Sequence, residues 1–580
     1  MEIRLRALFG NTFFLFCSLL VGACSTLPEQ DLSEQKKPAP VKLPFEIPVS
    51  TLQELNSDIV LSTLAGEIAM QRGDYELAYQ HQLQTAVLAG DATAAERATR
   101  IAFLLGRDDL ALKAMAHWIE LAPNNLAGRQ RAVTLYLDAG QTGRAFEQME
   151  AILAISKARG ENGFVPVMAV LTKRKDRGLA MQQMRRFQAA HMDDPEAGYA
   201  LSLMSLIWKD YPQSETDIRQ VIADWPDWSK ARILLSRLRK LQDDGEGAVH
   251  ELERALARTP DDVSLNSALA RLLVELDEYE KGYRQFQEVH RLAPEDTDAI
   301  YSLGVLALQL QQTAAAKGYF KRLLKMGSHV DDAAYYLGRI EEQDGNAQEA
   351  IDWYKQVTAG DYRFEAMARV AQVQAGAGNF REALDWVTNL RVQMPEQSVQ
   401  LYLMQAKILA EHGSAAEVLS VYASALEAHQ ENDDLLYARG LYAAEIGRMD
   451  IVESDLRRVI ERNPNNADAL NALGYTFADR SIRYDEAYAL ISKALELKPD
   501  SPAILDSMGW LQFRRGNLAA AASYLKRAFA ILPDGEIGAH LGEVLWAMGD
   551  SAGAEAIWQQ ILAKDPGSKH VIETRSRLVP

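Results

Sequence analysis

Ten histidines and two cysteines are the side chains of this 580-residue chain best suited to metal or nucleophilic chemistry. Their spacing argues against both. No two histidines stand at ligand spacing, and His412 and His429 are separated by several turns of helix. Neither a His-Glu-x-x-His zinc motif nor a phosphate-binding glycine loop ending in Lys-Ser or Lys-Thr occurs. Gly376-Ala377-Gly378 is a partial glycine-loop match whose place at the end of a helical pattern makes it a turn. Surface or packing roles are expected for the histidines, and no catalytic residue, cofactor or metal is expected. The net charge is −18, from 62 basic and 80 acidic residues, and no basic run stands out after the first few residues. Such a surface repels nucleic acid.

A second set of side chains has the chemistry of partner recognition. Tyr301, Tyr335, Tyr437, Asn471, Tyr475, Asp506, Trp510 and Trp546 fall at offsets 5, 9 or 12 of a recurring window. That spacing puts them on one face of the first helix in each window. Exposed aromatics there would anchor a protein or peptide; packing between windows is the competing use. Trp225-Pro226-Asp227-Trp228 reads as a packed turn between two windows.

The windows themselves are set by a repeat. Pro226, Pro260 and Pro294 are 34 apart, and Pro464, Pro499, Pro533 and Pro566 are 35, 34 and 33 apart. Leu303-Gly304 returns as Leu337-Gly338, Leu473-Gly474 and Leu541-Gly542. Gly516-Asn517, Gly345-Asn346, Gly378-Asn379 and Gly549-Asp550 read as stops between a first and a second helix. Ser501 is placed to cap the next helix, with Pro502 at its first position. The helix glycines 304, 338, 474, 509 and 542 imply close approach, expected against Ala316, Ala350, Ala487, Ala521 and Ala554, with Phe320 and Tyr354 filling wedges between units. A helix pair of this length cannot bury its apolar face alone, so copies must stack.

These residues resemble the tetratricopeptide-repeat family. The resemblance implies an all-α solenoid, a right-handed superhelix of antiparallel helix pairs. Residues 229–566 carry the pattern well. Residues 50–228 keep only fragments of it, with Ser214 where an alanine is expected, yet length and apolar spacing still predict helix pairs. Residues 567–580 are expected to add a capping helix.

The N-terminus reads differently. Arg4 and Arg6 precede the apolar run Phe13 to Val21, which is too short to span a bilayer. Val21-Gly22-Ala23-Cys24 then resembles a bacterial lipobox. That resemblance implies a signal peptide over 1–23 and lipid on Cys24, with Ser25 in place of the aspartate that retains such proteins in the inner membrane. Residues 24–49 hold Pro28, Pro38, Pro40, Pro44 and Pro48 and read as an extended tether. At roughly 3.1 Å per residue it reaches on the order of 75 Å.

Lipobox, tether and repeats together resemble large tetratricopeptide lipoproteins of gamma-proteobacteria. The runs Asn471-Ala472-Leu473-Gly474-Tyr475-Thr476 and Leu505-Asp506-Ser507-Met508-Gly509-Trp510 carry that likeness. It implies a non-catalytic outer-membrane adaptor facing the periplasm. Its partners would be a carboxyl-terminal processing protease and that protease's substrates, peptidoglycan cross-link hydrolases. An assembly lipoprotein for a secretion, pilus or polysaccharide-export machine is the alternative, and an enzyme with an unrecognised site a third reading.

Overall fold

The computed structural model describes residues 57–579. Cys24, the signal segment and the tether lie outside the described residues. Among those described there are 31 α-helices and no strand. They form successive helix–turn–helix hairpins, so the all-α repeat fold expected from the sequence is the fold observed. The chain divides into two compact units at Leu323 and Leu324. In each, the two helices of a hairpin pack on one another, and each hairpin packs on the next.

The turn inside most hairpins is set by a residue with a left-handed backbone. It recurs at Lys209, Asp243, Asp277, Gln311 and Gly345, one repeat length apart each time. Farther on it falls at Gly378, Gly447, Ser481, Gly516 and Gly549. At Gly516 φ is +82°, as expected of a glycine stop. The next amide then reaches back across the turn: Asn517 N–H donates to the Gln512 carbonyl at 2.9 Å, and Glu278 N–H to Leu273 at 2.8 Å. Two orphaned helix-end carbonyls are satisfied this way.

The start of each hairpin is fixed by caps and by a carbonyl tie. Asp262, Asp296, Asn432, Asn466 and Asp534 each accept a backbone N–H three residues on, at 2.9 to 3.0 Å. Ser501 differs from the expectation: it stands at the cap position but accepts no such bond. There the start rests on Pro502, whose fixed φ and missing N–H suit the first helical position. In the 50–228 region and just after it, a side chain six residues after a proline binds that proline's carbonyl. Arg129 donates to Pro123 at 3.1 Å, Arg232 to Pro226 at 3.2 Å and Asn266 to Pro260 at 2.9 Å. Trp225 and Trp228 pack on the core beside this turn, Trp228 edge-on to Tyr199 at 5.5 Å.

The helix glycines do mark close approach, but the partner is not chiefly the alanine. A Cβ on Gly304 would lie 2.8 Å from Phe320, on Gly338 2.7 Å from Tyr354, and on Gly474 2.6 Å from Ile491. On Gly509 it would lie 2.6 Å from Leu525, and on Gly542 2.0 Å from Trp558. Each of these large side chains stands four residues after the expected alanine, one turn along the same face. The missing Cβ leaves room for that side chain, and the alanine carbonyl comes second, at 3.2 to 3.3 Å for Ala487 and Ala521. Where the motif is weak, the close contact survives in other chemistry. Ser202 and Ser214 are both buried, and each hydroxyl donates to the other's carbonyl at 2.8 Å. The helix Lys569–Leu578 packs on Gly535–Ala547 and buries Val571.

Candidate functional site

Three first helices, Ala467–Asp479, Pro502–Arg514 and Gly535–Ala547, lie side by side in consecutive repeats of the second unit. Each offers one or two polar or aromatic side chains to a common point. Asp506 and Trp510 are i and i+4 on the middle helix, and Glu536 and His540 are i and i+4 on the last, so each pair shares a face. Tyr475 comes from the first helix and crosses both steps: its hydroxyl donates to Glu536 at 3.1 Å.

His540 sits at the centre. Its Nδ1 lies 3.0 Å from both oxygens of Asp506. The indole of Trp510 stacks on the imidazole, with centroids 4.1 Å apart and planes 20° apart. Trp510 is itself fixed, since its N–H donates to Asp479 at 3.3 Å and its ring meets Phe513 at 5.2 Å. Burial alone pushes the imidazole toward its neutral form. The adjacent Asp506 carboxylate, helped by Glu536 and Glu543, outweighs burial and raises the pKa of His540 above its ordinary value. The Tyr475 phenol is held far above its usual range, by burial first and then by Glu536, Asp506 and Asp479. Tyr475 therefore stays a hydrogen-bond donor at any physiological pH.

The carboxylates here are held without an arginine. Three other buried acids are matched by arginine: Glu251 by Arg232 at 2.6 Å, Asp455 by both arms of Arg439 at 2.6 and 2.8 Å, and Glu543 by Arg577 at 2.6 Å. Among the described residues neither Asp506 nor Glu536 has a lysine or arginine partner. The site is thus a preformed, aromatic-walled acidic corner with one imidazole in it.

Comparison with known proteins fits this architecture. The family model for the tetratricopeptide repeat matches residues 301–366 and 453–502. TPR repeat-containing protein PA4667 of Pseudomonas aeruginosa is 38% identical over 540 residues, covering 91% of this chain and 89% of the relative. The chain belongs to the tetratricopeptide-repeat family. Among solved structures, a chain of Naa15/Naa10 bound to HypK-THB is 12% identical, with a TM-score of 0.34, covering 90% of this chain and 96% of that one. PilW, described as a type IV pilus biogenesis factor, is 15% identical with a TM-score of 0.30, covering 37% of this chain and 99% of its own. A tetratricopeptide stack is suited to binding proteins, and this chain shares that general capacity.

Of the eight side chains expected to line a partner groove, contacts join three: Tyr475, Asp506 and Trp510. The expectation of exposed aromatics needs correcting. Tyr301, Tyr335 and Trp510 are 9%, 1% and 6% exposed. Tyr335 stacks on Tyr362 at 4.2 Å and donates to Glu365 at 2.5 Å, so it is a packing residue. Tyr437 is half-buried against the core, and burial, with Asp468 nearby, raises its pKa. Trp546 lies on Trp558, centroids 6.0 Å apart. Asn471 keeps a buried side-chain oxygen with no hydrogen-bond partner. These positions were assigned by helical face alone. In a tetratricopeptide stack the first helices also meet each other, so part of that face is interior.

Sequence reasoning missed His540 and Glu536. A search for paired histidines passes over a lone one. The usable signal was the Glu-His pair at i, i+4 and the step of one repeat from Asp506 to His540. One further motif-like run has a structural explanation. Gly549-Asp550-Ser551-Ala552-Gly553 has the Gly-x-Ser-x-Gly spacing of a nucleophile elbow. That motif needs a strand-to-helix turn. Here Gly549 is a left-handed hairpin turn and Asp550 caps the helix by accepting from Gly553 N–H at 2.8 Å.

Proposed function

We propose that this chain is a non-catalytic adaptor, tethered to the outer membrane by lipid on Cys24, that holds a periplasmic carboxyl-terminal processing protease and presents cell-wall hydrolases to it. The observation that carries the adaptor reading is the site built by Tyr475, Asp506, Trp510, Glu536 and His540 across three successive repeats. Its side chains are fixed before any partner arrives, so little ordering entropy is lost on binding. The identity of the partner rests on the resemblance of the 471–476 and 505–510 runs and of the lipobox-like start. Function then follows from co-localisation, which raises the effective concentration of substrate at the protease without new chemistry.

The test is reconstitution of the full chain with the purified protease and a peptidoglycan cross-link hydrolase. The proposal expects a stable complex and faster loss of the hydrolase. No binding and no acceleration would overturn it in favour of an assembly lipoprotein. Acceleration that survives alanine at Tyr475, Trp510 and Trp546 together would keep the adaptor but move its partner surface elsewhere.

A further inference from the structure

We propose that Asp506, Glu536 and His540 form a binding site for one divalent transition-metal ion. One donor atom from each of the three lies within 4.8 Å of the others. Glu536 and His540 sit one helical turn apart on Gly535–Ala547, and Asp506 faces them from the neighbouring first helix. The contact of 3.0 Å between His540 Nδ1 and each Asp506 oxygen is close to the spacing of ligand atoms at right angles around an ion bound at about 2.1 Å, and a shift of about 0.4 Å would open it to the tetrahedral spacing.

Three further observations separate this cluster from an ordinary acidic patch. It is preformed and largely dry: the side chains of His540 and Asp506 are 12% and 7% exposed, while Glu536 is exposed and leaves an open approach. Its ligands are oriented from outside. The Trp510 ring fixes the plane of the imidazole, and the Tyr475 hydroxyl holds Glu536, the kind of outer support that tunes a metal's ligands. Finally, its two carboxylates have only an imidazole between them, whereas Glu251, Asp455 and Glu543 each hold an arginine. A divalent cation would supply the missing positive charge.

The donor set decides the ion. An imidazole with two carboxylates suits zinc, nickel, cobalt or copper better than magnesium or calcium, which favour all-oxygen sites. Three protein ligands leave at least one position open to water or to a donor on another molecule. Ligation at Nδ1 requires that nitrogen free of a proton, so ion uptake competes with protons.

The experiment uses the purified full chain, stripped with chelator and titrated with Zn2+ alone by calorimetry. One ion per chain is expected. Affinity should fall by at least about tenfold in Glu536→Gln and be lost in His540→Ala. Because the His540 side chain is largely enclosed, its variant could misfold; Glu536 is exposed, so Glu536→Gln keeps the test valid. Ni2+ should quench tryptophan fluorescence, and Trp510→Phe should bind the ion yet lose most of that quenching. The proposal is overturned if the wild-type chain takes up no Zn2+, if Glu536→Gln binds it as well as wild type, or if Mg2+ competes at equal concentration. If Zn2+ fails but a lysine- or arginine-bearing peptide binds and loses affinity in Glu536→Gln, the corner is a cationic side-chain pocket and not a metal site.

Discussion

Replacing Gly542 by alanine should destabilise the chain, although the same change at an uncrowded helix position such as Gly318 should stabilise it. A Cβ at 542 would lie 2.0 Å from Nε1 and 2.4 Å from Cε2 of Trp558. Ordinary contact begins near 3.4 Å, so the indole must retreat by far more than the few tenths of an ångström a packed neighbour can give. It has nowhere to go: Trp558 is fully buried and lies against Trp546. Overpacking of this kind costs about 1–3 kcal/mol, and a rigid ring puts it at the upper end. Alanine recovers about 1 kcal/mol of helix propensity, leaving a net loss of about 2 kcal/mol. Gly318, in the helix Thr313–Met326, is the control. Nothing lies within 4 Å of a Cβ there, so Gly318→Ala should gain about 1 kcal/mol. Native-state hydrogen exchange is the right assay, because repeat arrays open locally and a single melting temperature blurs the effect. Exchange in Gly535–Ala547 and Ser551–Lys564 should speed up roughly thirtyfold in Gly542→Ala. Unchanged protection there would refute the packing argument. Equal loss across all the repeats would refute the locality argument.

Other outcomes follow from the same contacts. Arg232→Met should cost about 3–5 kcal/mol, because it strands Glu251, whose side chain is 3% exposed. Adding Glu251→Met should recover most of that in urea unfolding, and no recovery would deny the pairing. Gln311→Gly should be neutral or stabilising by up to about 1 kcal/mol, since Gln311 holds φ at +59°, whereas Gly516→Ala should destabilise by a similar amount. Burial, then the nearby Arg322, depresses the His290 pKa below 6.5, against a smaller pull from Asp296. The unfolded chain then binds the proton more readily, so stability is full above pH 6.5 and declines as pH falls from there toward the folded value. His290→Gln should flatten that decline in melts taken from pH 7.5 to 5, and a steeper slope in the variant would reverse the assignment.

The fold was legible because a repeat states its grammar many times. Proline spacing, Gly-Asn stops and helix glycines each pointed to the same hairpin. What the sequence obscured was the chemistry filling each slot. The left-handed turn at Gly345 and Gly516 is written in glycine, but at Lys209, Asp243, Asp277 and Gln311 the same backbone carries a side chain. Those positions can be read only by counting back one repeat at a time. The pair Ser202 and Ser214 hides in the same way: two serines replace glycine and alanine because hydrogen bonds to each other's carbonyls satisfy them in the core. The glycine partners were misassigned by one turn, since a helical side chain covers the surface N-terminal to its own Cα, not the level of the Cα itself.

The candidate site was half legible, for a reason that bears on its function. Helical face found Tyr475, Asp506 and Trp510 but could not tell a solvent-facing aromatic from one wedged between first helices. Nor could it rank a histidine whose meaning depends on a carboxylate one repeat away. Leaving Asp506 buried beside one imidazole, without the arginine that Asp455 and Glu251 enjoy, is an expensive arrangement for packing alone. A stack coupled mainly between neighbours can carry such a corner, because the cost stays within three repeats and leaves the rest of the array untouched. The fold itself builds the site: only consecutive repeats bring Asp506, a histidine on the next first helix and a tyrosine from the repeat before to one point. A change in the length of any of the three hairpins would dissolve the corner while leaving each helix intact.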